Sequence, residues 1–94
     1  MAAISGQTAV TTAGTAVVLG TGKVNGPLMV KALLANTGNV FIGNDGAGDV
    51  TSANSMELDA GEVIIFNYVG DLNTIWLDSA EDAEGVSWLM LGPQ

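Results

Sequence analysis

The chain has 94 residues, 48% of them apolar, and sets ten Asp and Glu against two cations, Lys23 and Lys31, for a net charge of −8; it has no His, Cys or Arg. That composition excludes imidazole and thiolate chemistry, Cys/His metal sites and disulfides, and it leaves no basic stripe for nucleic acid or an anionic membrane surface. One domain with a small core is what this length allows, so added stability has to come from efficient packing or from association.

In chain order, residues 1–6 come first as a possible flexible arm: small side chains, no charge beyond the α-amino group, and Ile4 as the one apolar anchor. Short segments follow at 7–11, 15–19, 27–35, 39–43, 55–58, 62–68, 74–78 and 85–91. Turn chemistry separates them, at Gly20-Thr21-Gly22, Asn25-Gly26-Pro27, Asn36-Thr37-Gly38, Asn44-Asp45-Gly46, Asp59-Ala60-Gly61 and Gly70-Asp71. The segments have strand length, and several are rich in β-branched or aromatic residues. Regular short strands of this kind predict an all-β fold, a compact antiparallel β-sandwich, jelly-roll-like, of roughly eight strands. The acidic stretch 79–84 reads as a solvated loop. The single domain spans 1–94.

Alternation places Leu28, Val30, Ala32 and Leu34 on one face of their strand and Met29, Lys31 and Leu33 on the other. The runs 63–68 and 86–91 are apolar on both faces. Strands of an open antiparallel sandwich normally keep one wet face. Two dry faces, with only 13% charged residues, point to surface covered by other subunits. No apolar run approaches the ~18 residues of a transmembrane helix. The N-terminal residues lack the basic and apolar regions of a signal peptide.

Carboxylates are the only plausible catalytic material. Asp45 and Asp49 flank a Gly-rich turn, and Asp78, Glu81, Asp82 and Glu84 cluster in another. Acid–base hydrolysis needs two carboxyls at fixed separation, one of them in a dry pocket with a raised pKa. Acids in polar, Gly-rich loops stay ionised, so no enzyme activity and no cofactor are expected. The same two loops supply oxygens for a calcium ion but lack the EF-hand spacing. Gly20-Thr21-Gly22-Lys23 departs from a phosphate loop, with Val24 after the Lys and Val17 where the first Gly belongs. Trp76 and Trp88 lie within strand patterns, which favours core packing over a stacking platform for a ligand.

The runs Asn36-Thr37-Gly38-Asn39-Val40-Phe41-Ile42-Gly43, Leu58-Asp59-Ala60-Gly61-Glu62 and Ile75-Trp76-Leu77-Asp78-Ser79-Ala80, closed by Val86-Ser87-Trp88-Leu89, resemble small β-sandwich virion proteins of tailed bacteriophages. The resemblance covers roughly residues 27–91, and its motifs are structural. It implies a capsid decoration (cement) protein on the outer surface of the virion, made in the host cytoplasm. Its expected partners are the major capsid protein and two further copies in a homotrimer, without nucleic acid or membrane. Ala2, Ala3, Ile4, Ser5 and Gly6 are the candidate capsid-contact arm. The alternative is a tail-associated or surface carbohydrate-binding β-module.

Overall fold

A computed structural model describes residues 5–46, 48–67 and 69–91. Ten strands run β1 (Ser5–Val10), β2 (Val17–Val18), β3 (Lys23–Val24), β4 (Leu28–Ala32), β5 (Val40–Gly43), β6 (Met56–Leu58), β7 (Val63–Phe66), β8 (Gly70–Asp71), β9 (Trp76–Ser79) and β10 (Glu84–Met90), with one 3₁₀ turn at Leu72–Thr74. Their pairing is nested and antiparallel: β1 with β10, β2 with β9, β3 with β8, β4 with β7 and β5 with β6. The chain is therefore one long hairpin with its tip between β5 and β6.

The hairpin is rolled up. β10 also pairs with β4, and β9 with β5. This produces sheet A, in the order β1-β10-β4-β7, sheet B, in the order β2-β9-β5-β6, and the small β3-β8 ladder. Away from the tip, successive long strands alternate between the sheets, which is the jelly-roll form of the β-sandwich. Rolling turns one face of the hairpin inward, so each strand's apolar alternation decides which face that is.

The core lies between the sheets. Sheet A contributes Val10, Leu28, Val30, Ala32, Val86 and Met90, and sheet B contributes Val40, Ile42, Leu58 and Leu77. Leu19, Val24 and Leu72 join the same cluster. Each fully buried Leu or Ile contributes roughly 1.5–3 kcal/mol through removal from water. Close approach of β1 to β10 depends on Gly85, where a Cβ would stand 2.1 Å from the Thr8 carbonyl oxygen.

Several elements differ from the sequence expectation. β1 begins at Ser5, so Ser5 and Gly6 pair with Leu89 and Trp88 and are part of the sheet; Ala2, Ala3 and Ile4 lie outside the described residues. The two-residue strands β3 and β8 were not expected, because Gly, Asn and Asp surround them. Leu34 is 75% exposed, since β4 ends at Ala32 and the alternation stops with it. The stretch 79–84 is a tight turn that carries the chain from β9 in sheet B to β10 in sheet A, with Ala83 at φ 62°.

Candidate functional site

The acids are the first place to look, and most of them are committed to the backbone. Asp78 and Glu84 are buried; in the stretch expected as a solvated loop, 79–84, residues 80–83 are exposed and only the two ends, Ser79 and Glu84, are buried. Asp78 accepts from the N–H groups of Gly14 and Ser79 at 2.9 and 2.8 Å. The Glu84 carboxylate accepts from the Thr37 N–H, the Thr37 hydroxyl and the Gly38 N–H. It thereby ties the β4–β5 loop to the start of β10. Burial pushes the Glu84 carboxyl up, but the hydrogen bonds from Thr37 and Gly38 more than reverse this and hold it below its ordinary value.

The calcium candidates are engaged in the same way. Asp49 accepts from the N–H groups of Asn44 and Asp45, both at 3.0 Å. Asp82 accepts from the Ala13 N–H at 2.8 Å. Among the described residues no group of three or more Asp and Glu could hold a metal ion. The phosphate-loop look-alike is also occupied: the Gly22 N–H donates to Asp71, and its carbonyl accepts from Leu72 N–H at 2.9 Å. These carboxylates organise loops by satisfying backbone donors that a small protein cannot otherwise cover.

The two tryptophans part company. Trp88 is half-buried and packs against the core. Its ring lies over Gly6, where a Cβ would come within 2.8 Å of it, and its Nε1–H donates to Thr8 Oγ1 at 3.3 Å. Trp76 alternates with the buried Leu77 on β9 and so stands on the outer face of sheet B. Its register neighbours there are Val18 and Gly43.

The feature with most functional content is the outer face of sheet A. Cross-strand register builds two rows on it. One runs Ser5–Leu89–Met29–Ile65 and the other Gln7–Ser87–Lys31–Val63. In a chain with ten acids, neither row contains one. Leu89, Val63 and Ile65 are 39%, 46% and 51% exposed. Met29, Lys31, Ser87 and Leu89 line a shallow groove of about 480 Å³ with Ser5 and Gln7. The face is flat, apolar along one row and hydrogen-bonding along the other, with Lys31 its single charge.

Such a surface offers apolar contact area and a single cation. Met29, Lys31 and the two-sided runs that carry Val63, Ile65 and Leu89 were visible in the alternation, whereas their assembly into rows was not. Of the expected contact arm, only Ser5 and Gly6 are described; both lie in β1, and Ser5 ends the apolar row. No family model, curated protein or solved structure matches the chain.

Proposed function

We propose that this chain is a structural virion protein, a capsid decoration protein that lays the outer face of sheet A on the surface of the shell. The single observation that carries the reading is the segregation of charge: −8 on the chain, and no carboxylate in the two rows of that face. A protein this acidic is repelled by other acidic surfaces except where its own acids are absent. The exposed Leu89, Val63 and Ile65 supply apolar area for contact. Lys31, in an acid-free setting, suits one carboxylate or carbonyl of the partner. The jelly roll is used by capsid and lectin domains alike, so the fold is consistent with the proposal without choosing it.

The partner in this reading is a major capsid protein, the location is the virion surface, and no chemistry is required. A cement protein needs a stable body, a complementary face and a high copy number. The test adds the purified chain to undecorated shells assembled from the major capsid protein of the same genome. Electron microscopy is expected to show regular density over the whole shell.

A second reading, a tail or surface module that binds carbohydrate, is favoured by Trp76. A half-buried indole on the outside of a sheet is a stacking surface for a sugar ring. Density confined to the tail, together with quenching of Trp76 fluorescence by a glycan, would select it.

A further inference from the structure

We propose that two copies of the chain join edge to edge through β7, antiparallel, with Ile65 of one copy opposite Ile65 of the other across a two-fold axis. β7 is the edge strand of sheet A, and among the described residues nothing pairs with its other side. The Ala32 N–H donates to the Glu62 carbonyl at 2.9 Å. Antiparallel bonding alternates along a strand, so Ile64 and Phe66 turn their main-chain groups to β4, as the Glu62 carbonyl does, while Val63 and Ile65 turn theirs outward; the Glu62 N–H donates instead to the Asp59 carbonyl.

Natural edge strands carry Lys, Pro, a bulge or an inward charge. Here a bulge stands only at the start, where the Gly61 N–H and the Glu62 carbonyl both bond Ala32, and Val63–Phe66 itself reads Val-Ile-Ile-Phe. Both of its faces are also incompletely covered. Val63 and Ile65 are about half exposed on the outer face. Ile64 and Phe66 line a cleft of about 380 Å³ that includes Ile42, Met56, Val69 and Ile75.

Charge selects a second copy as the occupant. Two chains of −8 approach best where neither presents an acid, and β7 is neutral along its length. The nearest acid is Glu62, at one end. Opposed residues of a sheet share a face, so the admissible registers pair outward-facing positions with each other. Centring on Ile65 sets Val63 opposite Asn67 and Ile64 opposite Phe66. It puts the two Glu62 side chains at opposite ends of the joint. Sliding the register toward Val63 brings the two Glu62 together. The centred register also uses the outward main-chain groups of Ile65 as a hydrogen-bonded pair.

Across this joint the apolar row Leu89–Met29–Ile65 continues into the same row of the second copy, and the docking face doubles in length. The assembly is a dimer, in place of the three-fold assembly implied by the resemblance to virion proteins. It does not depend on the shell-docking reading, because it rests on the edge and not on the face.

The test uses the full chain, whose lack of Cys gives a clean background. Sedimentation equilibrium at high micromolar concentration is expected to give a dimer, and Ile65→Lys a monomer with an unchanged β-type circular dichroism spectrum. Ile65→Cys is expected to oxidise to a disulfide-linked dimer, since hydrogen-bonded antiparallel partners stand about 5.5 Å apart at Cα, within disulfide reach. Val63→Cys, which faces Asn67, is expected to stay unlinked. A wild-type monomer or trimer, a dimeric Ile65→Lys, or faster linking through Val63→Cys than through Ile65→Cys would each overturn the proposal.

Discussion

Glu84 illustrates what individual residues do in this protein. A buried carboxylate usually signals chemistry or cost; here it is the acceptor for three donors of one loop. Its folded-state pKa lies below the ordinary 4.5, so the carboxylate form is the one the fold stabilises. That contribution is fully present above pH 4.5 and is lost as pH falls through the lower folded value. Glu84→Gln is expected to cost about 2–3 kcal/mol at pH 7, because charged acceptors are stronger and the amide would turn a donor toward donors. The same variant should flatten the acid limb of stability below pH 4.5, measured by urea unfolding. An unchanged acid limb would remove Glu84 from that role.

Two other residues carry clear consequences at this scale. Ala83 sits at φ 62°, a left-handed conformation costing a side chain roughly 1–2 kcal/mol that Gly avoids, at some entropic expense of its own. Ala83→Gly should therefore raise stability by about 0.5–1 kcal/mol, readable as a higher melting temperature. Trp88, over Gly6 and bonded to Thr8, joins the first strand of sheet A to the core. Trp88→Ala should cost about 3 kcal/mol or more. Trp76→Ala, on the outer face of sheet B, should cost less than half of that. Equal losses in thermal unfolding would contradict the separate placements of the two rings.

At the scale of elements, the strands were largely legible and their partners were not. Segments at 27–35, 39–43 and 62–68 contain β4, β5 and β7, and 85–91 covers all of β10 but Glu84, because period-two alternation and glycine turns are local signals. β3 and β8 escaped notice, since a ladder of Lys23–Val24 on Gly70–Asp71 is held by tertiary contacts and not by propensity. The outer face of sheet A was half visible. Alternation set Met29 and Lys31 on one side of β4, but which neighbours flank them depends on register with β7 and β10, strands distant in the sequence. The burial of Asp78 and Glu84 was hidden for a related reason: their donors lie on distant loops. The same topology orders local stability. β10 and β4 are central in sheet A, while β2 and β6 are edges and β3 and β8 form a two-stranded ladder. Amide exchange should be slowest in β4 and β10 and fastest in β2, β3 and β8. Fast exchange in β10 would contradict the rolled-hairpin arrangement.

For the whole molecule, the two proposals divide labour between two surfaces of sheet A: a β7 edge proposed to join copies, and an acid-free face proposed to meet the shell. Loop carboxylates hold the turns by accepting from backbone N–H groups. Leu89 separates the two surfaces experimentally: it lies two strands away from β7 and is exposed enough for Leu89→Glu to leave the fold and the β7 pairing intact. Its replacement puts an unpaired carboxylate at the centre of the proposed contact, a loss on the order of 100-fold in binding. The most direct measurement is therefore occupancy on undecorated shells, wild type against Leu89→Glu at equal concentration, by cosedimentation and electron microscopy. The account predicts regular decoration by the wild-type chain and bare shells with the variant. Equal occupancy for the two, or bare shells with the wild-type chain, would contradict it.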